Sequence, residues 1–174
     1  MTSPITNSVD RPRTFISHNG GKAKLPFSDQ EYENRLVKLR QLMADRDIPA
    51  VLFTSMHNIA YYSGFLYCAF GRPYGCLITQ DKCTTISANI DAAQPWRCSF
   101  SDNVIYTDWQ RNSYYAAVVD LLNGKKRIGI EGDHLTLAVQ SLLKSHVDNA
   151  ELVDIASEVM TFRLHKSVEE IALI

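Results

Sequence analysis

The sequence has no excess of basic charge: 18 lysines and arginines face 19 aspartates and glutamates, for a formal net charge of −1. Nucleic-acid binders ordinarily carry a basic patch or stripe. The one short cluster, Lys125-Lys126-Arg127, reads as the approach to a strand, so no nucleic-acid partner is expected. There is also no run of about 18 apolar residues, the length that a spanning helix requires. The opening stretch MTSPITNSVDRPRTF lacks the apolar centre of a secretory signal. No membrane partner is expected. The four cysteines, Cys68, Cys76, Cys83 and Cys98, fit neither a C-x-x-C zinc site nor a redox pair by their spacing. They read as reduced, structural residues of a cytoplasmic protein.

Chemical signatures are equally scarce. There is no Gly-rich phosphate loop and no G-x-S-x-G elbow. The five histidines (His18, His57, His134, His146, His165) form neither H-x-x-x-H nor H-E-x-x-H. No metal and no cofactor is expected, and no complete active site is legible.

What is present is a regular alternation of elements in a chain of 174 residues, 45% of them hydrophobic, enough to bury a core. Residues 1–25 are polar and read as a loose arm. Ser28-Asp-Gln-Glu31 predicts a reciprocal capping box, and Tyr32, Leu36, Leu39 and Met43 recur at helical spacing. That helix should end near Asp47, before Ile48-Pro49. The apolar run at 50–54 predicts a strand buried on both faces, followed by helical turns over 57–63. Two β-prone runs, 74–79 and 83–88, read as a hairpin around Gln80-Asp81-Lys82. Strands are expected at 103–107, 127–131 and 151–154. Helices are expected at 114–122, closing at Asn123-Gly124, and at 135–145 and 155–162. The pattern is that of an α/β domain over residues 26–163, with a mixed β-sheet flanked by helices on both sides.

From residue 164 the character changes. Ser167 reads as an N-cap with Glu169 and Glu170 in the first turn, where carboxylates suit the helix dipole. Val168, Ile171 and Ile174 begin an apolar stripe. Residues 164–174 are therefore expected to be a linker and the start of the first helix of a further domain.

Two clusters could carry chemistry. Glu131, Asp133 and His134 lie together at a strand end, where α/β proteins often place functional groups. They could do acid–base work, or form a polar turn with Asp133 as a helix cap. The second is NIAYYSGFLYCAFGRPY, residues 58–74, in which four tyrosines and two phenylalanines surround one guanidinium. Aromatic faces can hold a cation, and the planar fork of Arg72 suits a carboxylate. The alternative is a set of core aromatics with an internal ion pair at Arg72.

Beginning at His57, HNIAYYSGFLYCAFGRPYG, then ISANIDAAQPWR and VIYTDWQRNSYYAAV, resembles the creatinases of the creatinase/prolidase (pita-bread) family. The likeness continues in order through RIGIEGDHL and AELVDIASEVM to KSVEEIALI. It implies a creatinase/prolidase N-terminal domain that caps substrate and helps to form a homodimer, in an enzyme hydrolysing creatine to sarcosine and urea without a metal. It also implies that catalysis belongs to a C-terminal domain, and that this chain alone is inactive. Phe70 and Arg72 are implied as creatine-binding residues that serve the neighbouring subunit's site, Arg72 by gripping the carboxylate. On that reading Glu131, Asp133 and His134 are structural. Ectoine hydrolases, Xaa-Pro peptidases and non-catalytic peptide-binding modules share the superfamily and are the alternatives. Gly64 departs from the acidic residue expected there in creatinases, and the arm before Leu25 does not follow the family.

Overall fold

The computed structural model describes residues 12–67, 71–91, 94–107 and 112–174. Seven strands form one mixed sheet: β1 (Thr14–Phe15), β2 (Ala50–Phe53), β3 (Gly75–Thr79), β4 (Cys83–Ala88), β5 (Asp102–Tyr106), β6 (Arg127–Ile130) and β7 (Glu151–Asp154). Their order is β1-β5-β4-β3-β2-β6-β7. The helices are α1 (Asp29–Asp45), α2 (Met56–Ser63), α3 (Gln94–Arg97), α4 (Ser113–Leu122), α5 (Leu137–His146), α6 (Ala156–Leu164) and α7 (Val168–Ala172).

The pleat of β2 explains the layering. Alternate strand residues point to opposite faces. Val51 and Phe53 therefore pack with Leu36, Leu39 and Met43 of α1, Ile59 and Tyr62 of α2, and Val159 of α6. Ala50 and Leu52 pack on the other side with Ala117, Val118 and Leu122 of α4 and Leu143 of α5. All four β2 residues are buried, as its unbroken apolar run requires. Helices cover both faces, in agreement with the α/β fold expected from the sequence.

Direction within the sheet places the loops. β2 is parallel to β6 and antiparallel to β3, β6 is parallel to β7, and β4 is antiparallel to β3 and parallel to β5. The C-terminal ends of β2, β4, β5, β6 and β7 thus share one edge with the start of β3. This edge is where open α/β sheets usually bind ligands.

Several local expectations are modified by long-range contacts. Ser28 does accept from the Glu31 N–H at 3.2 Å, but Glu31 turns to Arg35 at 2.9 Å instead of reaching back. The second half of the box comes from Glu169. Its carboxylate accepts from the Ser28 N–H at 2.9 Å and the Ser28 hydroxyl at 2.6 Å. Ser167 and Glu170 complete their own capping box on α7. Glu170 also accepts from Arg35 at 3.2 Å, whose guanidinium lies 4.2 Å from the Phe27 ring centroid and 4.3 Å from that of Tyr61. Helix α7 is thereby latched onto the start of α1, with Val168 and Ile174 exposed.

Residues 12–25, read from the sequence as part of a loose arm, are bound to the domain. Thr14 and Phe15 pair with Tyr106 and Ile105. Lys22 donates to the carbonyls of Ser99 and Ser101 at 2.8 and 2.9 Å, and its ammonium lies 4.7 Å from the Trp96 ring centroid. A two-residue strand shows no period in sequence, which is why tertiary contact alone reveals it. The short α3 is unforeseen for the same reason. Among the described residues, no helix is long and apolar enough to cross a membrane.

Candidate functional site

At the shared sheet edge lies an open pocket of about 250 Å³. Thr54 enters it from the end of β2, Arg72 and Tyr74 from the turn before β3, Tyr114 and Tyr115 from the start of α4, and His134 from the turn after β6.

Tyrosine hydroxyls hold the Arg72 turn in place. Tyr106 donates to the Pro73 carbonyl at 2.9 Å and Tyr114 to the Tyr74 carbonyl at 3.2 Å. Tyr74 donates to the Asp91 carboxylate. Tyr67 stacks on Tyr74 with ring centroids 4.2 Å apart and donates to the Thr54 carbonyl at 3.0 Å. Burial pushes the Tyr67 phenol up to about 12 and raises those of Tyr106 and Tyr114, so all three stay protonated donors at neutral pH. Burial also raises the Asp91 carboxyl, with the Arg72 charge acting in the opposite direction. Gly75 is needed here, because a Cβ at this position would sit 2.5 Å from the Tyr114 hydroxyl.

Arg72 is half-buried at the pocket wall. Among the described residues it forms no ion pair and no hydrogen bond, so the internal pair weighed from the sequence is not made with any of them. A guanidinium beside aromatic rings can bind a carboxylate by a two-point, charge-assisted contact. Phe70, its expected companion, lies outside the described residues. Of the four tyrosines in the segment, Tyr62, Tyr67 and Tyr74 are buried in the core and Tyr61 packs against it. The clamping roles of Tyr106 and Tyr114 were not foreseen; the only sequence signal was the aromatic density of the later blocks.

The Glu131 cluster divides into separate roles. Glu131 is 1% exposed. One carboxylate oxygen accepts from the N–H groups of Thr54 and Ser55 at 2.6 and 2.9 Å. The other accepts from the Ser55 hydroxyl and, at 2.6 Å, from the Asn58 amide. Ser55 is the N-cap of α2, so this anion occupies the positive end of that helix. It joins β6 to α2, and donors fill both of its carboxylate oxygens. Asp133 is exposed and is not the cap of α5; Thr136 is, accepting from Val139 N–H at 3.3 Å. His134 Nδ1 lies 3.0 Å from the Thr54 hydroxyl at the pocket rim. Among the described residues no group of three or more His, Cys, Asp or Glu could hold a metal ion.

Comparison with known proteins agrees with this architecture. The Creatinase/Prolidase N-terminal domain family matches residues 35–165. The creatinase of Bacillus sp. (strain B-0618) is 49% identical over 171 residues, covering 95% of this chain and 42% of that protein. The uncharacterized peptidase YqhT of Bacillus subtilis (strain 168) is 28% identical over 142 residues, 80% of this chain and 38% of that one. The chain therefore spans less than half the length of these curated relatives. Among solved structures, the prolidase from Pyrococcus horikoshii OT3 superposes with a TM-score of 0.68 at 24% identity, covering 81% of this chain and 38% of that one. A proline dipeptidase from Streptococcus pneumoniae tigr4 also gives 0.68, at 17% identity over 75% of this chain and 98% of that chain.

Proposed function

The chain belongs to the creatinase/prolidase N-terminal domain family, and from that premise we propose that it is the substrate-capping and dimerisation domain of a creatinase. The observation that carries this reading is the 49% identity to the Bacillus creatinase along 95% of the chain. The proposed reaction of the whole protein is hydrolysis of creatine to sarcosine and urea. Residues 26–163 form the domain and residues 164–174 lead into the first helix of a catalytic domain. The protein acts as a cytoplasmic homodimer, in which each copy of this domain reaches the active site of its neighbour.

Creatine carries a carboxylate at one end and a guanidinium at the other. Arg72 grips the carboxylate, and Phe70 closes the site against water. The tyrosine-held turn supports this role, because a donor fork is useful only when its position is defined. Misplacing a reacting group by about 1 Å costs on the order of a hundredfold in rate. Neither residue makes or breaks a bond; both position the substrate for groups elsewhere.

The test is urea release from creatine by the protein carrying this domain, with Arg72→Ala as the probe. We expect the variant to keep its fold and oligomeric state and to raise KM by about tenfold to a hundredfold, the loss of a charge-assisted contact worth roughly 1.5–3 kcal/mol. An unchanged KM overturns the role of Arg72; absence of urea release overturns the substrate. A second reading, a proline-specific peptidase, is favoured by the prolidase-like fold of the solved relatives. Cleavage of an Xaa-Pro dipeptide without urea release would select it. Ectoine hydrolysis, or peptide capture in a pull-down without any catalysis, would select the remaining readings.

A further inference from the structure

We propose that Cys76 and Cys83 form an oxidisable dithiol, a modification site at which a peroxide closes a reversible disulfide across the β3–β4 hairpin. Cys76 lies opposite Thr85 and Cys83 opposite Ile78, so the two are diagonal neighbours on one face of the sheet. Diagonal positions on paired strands lie about 7–8 Å apart. Their sulfurs nevertheless stand only 3.6 Å apart, because both side chains turn toward each other. Closing a bond of about 2.05 Å needs side-chain rotation and a small slide of one strand along the other, which brings the two Cα atoms within about 7 Å.

The two thiols are unequal. Cys76 is fully buried and Cys83 is partly exposed. The hydrogen bond with Cys83, together with burial, pushes the Cys76 thiol up and keeps it protonated. Cys83 is therefore the sulfur that a dissolved oxidant meets first. Its sulfur attacks hydrogen peroxide; an S–O bond forms, the O–O bond breaks, and the Cys83 proton leaves with the displaced hydroxide as water. The Cys76 thiol, protonated at rest, gives its proton to the departing oxygen as its sulfur attacks Cys83 sulfur. The S–S bond forms as S–O breaks, and the Cys76 proton leaves with hydroxide as a second water. Two thiols are oxidised and one peroxide is reduced to two waters.

A diagonal cross-strand bridge is strained, and strained disulfides are the more readily reduced ones. Thiol reductants should reopen it, which makes the site a reversible one. The bridge would pin β3 two residues beyond Tyr74, next to the turn that presents Arg72. Cys98 packs against the same core and has no sulfur neighbour among the described residues. The inference rests on the hairpin and is independent of the substrate assigned above.

The experiment treats the native wild-type chain with hydrogen peroxide, blocks remaining thiols by alkylation and maps the digest by mass spectrometry. The expected product is a peptide pair joined through Cys76 and Cys83, formed at least about tenfold faster than thiol is lost at Cys98. Dithiothreitol should restore both thiols. Cys83→Ser should abolish the cross-link and leave Cys76 reduced under the same treatment; the wild-type map decides the matter even if that variant folds poorly. A stable sulfinic acid at Cys83 with Cys76 still reduced overturns the proposal. So does a cross-link through Cys68 or Cys98, or one that appears only in urea.

Discussion

Removing the carboxylate of Glu131 tests how the sheet edge is held together. Four donors converge on this one buried anion: the Thr54 and Ser55 N–H groups, the Ser55 hydroxyl and the Asn58 amide. Glu131→Gln keeps the volume but replaces one acceptor oxygen by a donor. Its remaining oxygen can still take the two backbone N–H groups. The Ser55 hydroxyl can turn to accept, whereas the Asn58 amide cannot flip freely, because its own oxygen accepts from Arg163 at 2.8 Å. One donor–donor conflict results, costing about 2 kcal/mol. Glu131→Ala leaves both backbone donors without an acceptor and opens a cavity, costing about 4 kcal/mol. With a urea dependence of about 2 kcal/mol per M, the unfolding midpoint should fall by about 1 M for Gln and about 2 M for Ala. Urea denaturation followed by circular dichroism measures both. Unfolding of both variants within about 0.3 M of wild type, or greater damage from Gln than from Ala, would show that this carboxylate does not hold the sheet edge.

Other predictions follow from single contacts. Gly64 ends α2 at φ +81, and a Cβ there would meet the Tyr32 hydroxyl at 2.9 Å and Leu25 Cδ1 at 3.0 Å. Gly64→Ala should destabilise by about 2 kcal/mol in the same urea assay, the sum of left-handed strain and crowding; a neutral result would mean that α2 does not end as described. The α7 latch should depend on pH. Hydrogen bonds from the Ser28 hydroxyl and N–H hold the Glu169 carboxyl below its ordinary range. A depressed folded pKa means that this contribution is complete above the unfolded value, about 4.3, and is lost as pH falls through the lower folded value. The Ser28 amide proton resonance should therefore titrate with a midpoint below that of a free glutamate; a midpoint at or above it would show that the latch is not formed.

Element type and order were legible because they depend on period. The Tyr32-Leu36-Leu39-Met43 stripe, the apolar run of β2 and the Asn123-Gly124 stop act within a few residues of themselves. All appear in the structure where periodicity puts them, within one or two residues at the ends. The cap of α5 moved from Asp133 to Thr136, since several polar residues in that turn could serve and only the path of the chain out of β6 selects one. Arg72 was legible as a candidate from its aromatic surroundings. Its setting was not, for the neighbouring carbonyls of Pro73 and Tyr74 are held by hydroxyls from Tyr106 and Tyr114, far along the chain.

The α/β alternation, the family resemblance, and Arg72 as a candidate for binding a carboxylate were all readable along the chain. Hydrophobic period carries the first, the resemblance of several ordered blocks to creatinases the second, and a single guanidinium among aromatic residues, together with that resemblance, the third. Which groups meet depended on packing between elements far apart in the chain. The carboxylate of Glu169 reached Ser28 across 141 residues and took the place that the local pattern assigned to Glu31. Glu131 became the anchor of α2 rather than an acid or base, because folding placed four donors around it. Cys76 and Cys83, unrelated by their spacing, came to within 3.6 Å through the register of a hairpin. Contacts of this kind leave no period in the chain, because they depend on how separate elements align, and that alignment is set by the whole buried core.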